Sequence, residues 1–203
     1  MSEISYRSLV WLSYRLGATF AFGIPLVLFI WSTIKNEPSI IRLFSIYWKV
    51  ASLMLISMLL LTGNSSIGYL TSFLSPILMT TCLWFWIDLN EELRELSSRK
   101  ALPFVLKAWR WALSGYSCLY ASLTFKSLDC LNQIESSQCP FWREAPSGRN
   151  QVIKSTFNFL FGASWTETLS AFVGYLGLII YIVGVIQWLI VRFPKKGRIA
   201  GDF

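Results

Sequence analysis

The amino-acid sequence predicts an all-α fold: an integral membrane helical bundle of about five transmembrane helices with a short interfacial helix. Of its 203 residues, 54% are hydrophobic and only 14% are charged, where soluble domains carry roughly 25% charge. Four long stretches contain no Asp, Glu, Lys or Arg: Leu16 to Ile34, Val50 to Ile87, Trp111 to Phe125 and Thr168 to Val191. A charge at the bilayer centre costs about 2.5 to 3.5 kcal/mol on insertion scales, so these stretches are where a membrane can be crossed. The basic residues gather where the stretches end.

Taken in order, the first span is about 16–34 and carries Pro25, which frees a carbonyl and kinks the helix. The second stretch is 38 residues long. As one helix it would measure about 57 Å at about 1.5 Å per residue. It is interrupted by the turn formers Thr62-Gly63-Asn64-Ser65-Ser66, so it reads as a tight hairpin of spans 45–62 and 67–88, the latter with its own Pro76. Span four, about 104–125, gains length by taking Lys107 and Arg110 at one end, where long basic side chains snorkel beside Trp109 and Trp111. Span five, about 167–191, opens on Ser164-Trp165-Thr166-Glu167, the spacing of a capping box. Along it Ser170, Gly174, Gly177, Tyr181 and Gly184 form a stripe of mostly small residues suited to close helix packing, within the chain or against a partner. Ser114, Cys118 and Ala121 form a similar set in span four. The whole of 1–203 reads as one multi-pass domain.

Between spans four and five lies a long loop, 126–166, too long for a bare connector. Val152, Ile153, Phe157, Leu160 and Phe161 gather on one side of 151–161, which predicts a short amphipathic helix on the membrane surface. Cys130 and Cys139 in this loop can form a disulfide or remain two free thiols, because spacing does not fix connectivity.

Orientation follows from the basic residues. With the C-terminus cytoplasmic, twelve Lys and Arg fall inside and six outside, namely Arg7, Arg15, Lys126, Arg143, Arg149 and Lys154. The positive-inside rule favours that arrangement, with the N-terminus exoplasmic. The net charge of +7 is thereby explained by topology, and nucleic acid is not an expected partner. The partners expected are the lipid bilayer and other membrane proteins or a second copy.

Histidine is absent. That excludes His-ligated haem, histidine zinc sites and Ser-His-Asp or Cys-His catalysis within this chain. No nucleophile-base pair stands out, so no enzymatic activity, catalytic residue, metal or cofactor is expected. The most informative stretch is Leu83-Trp84-Phe85-Trp86-Ile87-Asp88-Leu89-Asn90-Glu91-Glu92. If the helix continues through it, Asp88, Glu91, Glu92 and Glu95 share one face. Clustered carboxylates suit a divalent cation or a proton site; alternatively they form an exposed extension balancing Lys49, Lys107 and Arg110. Asp88 is the acid nearest the membrane, and an ion pair with Lys49 or Arg110 is the expected contact. Trp84 and Trp86 complete an aromatic-acidic edge.

Four segments carry a resemblance: Leu9 to Leu16 (LVWLSYRL), Ile46 to Leu53 (IYWKVASL), Leu83 to Glu92 (LWFWIDLNEE) and Trp109-Arg110-Trp111. They resemble a family of cyanobacterial multi-pass membrane proteins known as a domain of unknown function, over most of the chain. Departures from that pattern are Lys49, where arginine is usual, and Ser13, where an acid is common. The resemblance implies no activity, cofactor or catalytic residue, only a photosynthetic bacterial source and hence a thylakoid or plasma membrane. The reading that follows is a non-enzymatic accessory or assembly protein. The alternative is a small oligomeric transporter or channel-like protein in which Asp88, Lys49 and Arg110 line a path.

Overall fold

The structure is a computed structural model, and it describes residues 3–96, 101–131, 139–161 and 164–200. Among them every regular element is helical. Helix α1, Glu3–Gly17, passes through a wider π-helical segment, Ala18–Gly23, into α2, Ile24–Ile34. Then come α3 (Pro38–Thr62), α4 (Ile67–Phe85), α5 (Ile87–Glu95), α6 (Ala101–Lys126), α7 (Cys139–Phe161) and α8 (Glu167–Gln187). A second π-helical segment, Trp188–Arg192, leads into the short α9, Phe193–Lys196.

Four continuous helical runs are long and apolar enough to cross a membrane: Tyr6–Ile34, Pro38–Thr62, Ile67–Phe85 and Glu167–Val191. The sequence predicts five. Helix α6 has the length, at 26 residues, but Lys107 and Arg110 in its first half leave it less apolar than the other four.

The hairpin sits where its turn formers put it. Helix α3 ends at Thr62, and Asn64 takes the left-handed conformation at φ 58° that a short polar residue tolerates after a helix end. Ser65 Oγ and Tyr175 Oη lie 2.7 Å apart, and Asn64 Nδ2 donates to Glu167 at 3.1 Å, so the turn is pinned to α8. Helix α8 approaches α3 through its small residues. Ser170 donates to the Leu59 carbonyl, and Cβ atoms built on Gly174 and Gly177 would meet Leu60 and Ile56 at 3.0 and 3.2 Å. Gly184 faces open space, so the stripe leaves the intrachain contact at its far end.

Both prolines free carbonyls, and each is answered locally. Pro25 brings no N–H, and the N–H of Ile24 reaches back to Thr19 rather than Phe20. The π-helical segment therefore leaves the carbonyls of Phe20 and Ala21 open. Trp109 Nε1 of α6 donates to Phe20 at 2.9 Å, and Tyr47 Oη of α3 donates to Ala21 at 2.8 Å. The two donors touch each other, ring centroids 5.3 Å apart, with Phe44 packed against both. At Pro76 the Ser72 carbonyl accepts the Ser75 hydroxyl.

Three sequence expectations are corrected. The surface helix predicted over 151–161 is the second half of α7, which begins at Cys139. Its first turns are buried, because Trp142 is fully enclosed by Tyr6, Tyr14 and Tyr120 and its Nε1 donates to Tyr6 at 3.0 Å. The side chains of Val152, Ile153, Leu160 and Phe161 lie outside the described residues. Span three ends at Phe85 instead of 88, since Trp86 is extended. The cap of α8 is Thr166, whose hydroxyl accepts from the Leu169 N–H, and not Ser164. Cys130 and Cys139 are joined by a disulfide that ties α7 to the end of α6.

A Cβ at Gly63 would stand 2.6 Å from the backbone of Ala171, so Gly63→Ala forces α8 away from α3. It is expected to destabilise by about 1 to 3 kcal/mol, whereas Gly184→Ala leaves thermal stability in detergent unchanged or slightly raised. Tyr47→Phe keeps the ring and leaves the Ala21 carbonyl unsatisfied. A loss of about 1 to 3 kcal/mol in denaturant unfolding is expected.

Candidate functional site

The aromatic-acidic stretch is where α4 breaks. No Gly or Pro causes the break; Trp86 turns to φ −83°, ψ 116° and α5 restarts at Ile87. A helix end leaves open carbonyls, which are costly when buried unless a donor reaches them. Here the last three are reached from three different elements. Arg110 of α6 donates to Leu83, Asn90 Nδ2 of α5 donates to Trp84 at 3.1 Å, and Arg198 Nε donates to Phe85 at 2.9 Å. Two guanidinium groups at a helix C-terminus also complement its negative dipole end.

The C-terminal segment is the other half of this junction. Gly197 adopts φ 56°, a turn that returns Arg198 to Ala200 against α5. The Ile87 N–H donates to the Arg198 carbonyl at 3.1 Å, and the Ala200 N–H donates to both carboxylate oxygens of Asp88 at 2.9 and 3.0 Å. Asp88 lies in the first turn of α5, where an anion is favoured by the helix dipole. Phe85, Trp86, Trp188 and Phe193 pack ring against ring above it, with centroids 5.2 to 6.3 Å apart. Trp86 is almost fully buried in this group.

Arg110 is the centre of the remaining side. It is only 7% exposed, bridges the Leu83 carbonyl and Asn90 Oδ1, and lies 4.3 Å from the centroid of the Trp84 ring. Trp84 in turn donates to Ser114 at 3.0 Å and packs on Trp111 at 5.1 Å.

The four carboxylates share a helix face yet serve different contacts. Asp88 takes the tail, Glu92 takes Arg42 and Ser39 of α3, and Glu91 and Glu95 are exposed. Among the described residues no group of three or more His, Cys, Asp or Glu could hold a metal ion. Lys49 lies exposed on α3. Sequence reasoning missed Asn90, Arg42, Ser39 and the tail residues Arg198 and Ala200. Asn90 was the one with a visible signal, being the lone amide between acids in Asp88-Leu89-Asn90-Glu91.

Hydrogen bonds from Arg42 and then Ser39 hold the Glu92 carboxyl below its ordinary value of 4.5. A carboxylate lowered on folding binds fewer protons than in the unfolded chain, so its contribution is complete above the ordinary value and is lost as pH falls through the lowered one. The stability difference between the parent chain and Glu92→Gln is therefore expected to be constant at neutral pH and to shrink below about pH 4.5, read from melting curves across pH.

No curated protein and no solved structure matches the chain. The family described as protein of unknown function, DUF3177, matches residues 7–201. With nearly its full length covered, the chain belongs to the DUF3177 family.

Proposed function

We propose that the chain is a non-enzymatic accessory or assembly protein of a photosynthetic bacterial membrane, acting as a rigid helical scaffold. The observation that carries this reading is the commitment of the junction charges. Arg110 and Arg198 are fixed on backbone carbonyls, and the Asp88 carboxylate is held by the Ala200 N–H. A proton-relaying site needs a carboxylate that faces a polar cavity at membrane depth. Asp88 sits in α5, beyond the long apolar helices, bound to the tail.

The outer surface supports the same reading. Beyond the side of α8 that meets α3, Phe172, Ile179, Ile180 and Val183 are exposed on a helix apolar along its length. That face suits lipid or the helices of another membrane protein. The basic residues argue for a cytoplasmic C-terminus. The Cys130–Cys139 disulfide, at the end of α6 away from Lys107 and Arg110, then falls on the exoplasmic side, where oxidising compartments allow it. The thylakoid or plasma membrane is the expected location.

The test is purification of the tagged protein from its native membranes in mild detergent, with mass spectrometry of copurifying chains and a native size. One complex captured at stoichiometric yield is the expected result. A homo-oligomer without partner, together with ion or solute flux in vesicles abolished by Asp88→Asn, would overturn it in favour of transport.

A further inference from the structure

A cleft of about 420 Å³ opens beside the junction, between the end of α4, α5 and the first half of α6. Among the described residues its charged lining is Arg94, Lys107 and Arg110, with no carboxylate. Trp84 and Trp111 form one wall, and Asn90 lies at the Arg110 side. Arg110 is more than nine-tenths buried. Its hydrogen-bond acceptors among the described residues, the Leu83 carbonyl and Asn90 Oδ1, are neutral, and its Nε has no hydrogen-bond partner. Arg94 adds a like charge close enough to act on Arg110 electrostatically. The end of α4 and the Trp84 ring offset part of the cost of burying this guanidinium, and the two further cations around it leave a surplus of positive charge that an anion would balance.

The surroundings say which anion. Trp111 is 63% exposed, and Phe104, two turns earlier on the same face of α6, is 62% exposed; Leu119 continues that face at 69%. A soluble phosphate has no use for an apolar stripe leading out of its site. An acyl chain does, and tryptophan beside arginine and lysine at the end of an apolar helix is the composition of the headgroup level of a bilayer. We propose that the cleft holds the phosphate of one anionic phospholipid. Arg94, Lys107 and Arg110 surround the headgroup, and an acyl chain runs from Trp111 toward Leu119, into the membrane from the headgroup level.

The full chain, purified and delipidated in detergent, tests this. Native mass spectrometry with phosphatidylglycerol is expected to show one lipid retained under activation that strips phosphatidylcholine. Brominated phosphatidylglycerol should quench tryptophan emission more strongly than its choline counterpart. In the double variant Arg94→Gln, Lys107→Gln the affinity should fall about tenfold or more. Neither side chain makes a hydrogen bond or ion pair among the described residues, so folding, followed by the melting curve, is expected to persist. Lys35→Gln, an exposed cation outside the cleft, should bind as the parent does. Equal retention of both lipids, or an equal loss in Lys35→Gln, would overturn the proposal as bulk charge attraction. Inorganic phosphate binding as tightly as the lipid would overturn the lipid assignment.

Discussion

A backbone carbonyl in apolar surroundings needs a donor, and this fold is organised around the few that its own helices cannot supply. The π-helical segment before Pro25 opens Phe20 and Ala21; the break at Trp86 opens Leu83, Trp84 and Phe85. Two successive residues of α6 serve both places. Trp109 reaches Phe20 and Arg110, a hundred degrees round the helix, reaches Leu83. Trp111 then packs on Trp84. Helix α6 is thereby a pin between two interrupted helices, and its position fixes theirs. In water each of these bonds would contribute little net, but where the alternative is an unsatisfied group their absence is what costs.

Charge is placed accordingly. Among the described residues, two ion pairs join distant elements, Arg7 with Glu144 and Arg42 with Glu92; they lie at opposite ends of the bundle and are partly exposed. Such pairs add modest energy. What they add is register: Arg7 and Glu144 align the first turns of α1 and α7, while Arg42 and Glu92 set α5 beside the start of α3. Among the described residues the one deeply buried cation, Arg110, works as a hydrogen-bond donor.

Much of this architecture was legible in the sequence, and the divide between what was and what was not has a physical basis. The hairpin at 62–66, the long apolar helices and the small-residue side of α8 are local or periodic patterns. Composition alone displays them. The break at Trp86 interrupts an apolar aromatic run that contains no breaker, so nothing local announces it; two of the donors that satisfy it, Arg110 and Arg198, come from elements distant in sequence. The same holds for Trp142, whose burial depends on Tyr14 and Tyr120 meeting it from two other helices. Pro25 announced a free carbonyl, but which tyrosine and tryptophan would answer it required the packing. Trp84, Asp88 and Arg110 stand out in the sequence, while Ala200, which holds Asp88, and the Leu83 carbonyl, which accepts from Arg110, do not, because each sits on another element.

The Phe85 carbonyl and the guanidinium that closes it are 113 residues apart. At about 5 to 20 residues per second of synthesis, roughly 6 to 23 seconds pass between the two entering existence. Through that interval the junction is held by Asn90 of α5 and Arg110 of α6, without the tail. Assembly of this end is thus ordered in time by the chain itself: α6 docks on a half-finished joint, and the tail arrives afterwards to lock it.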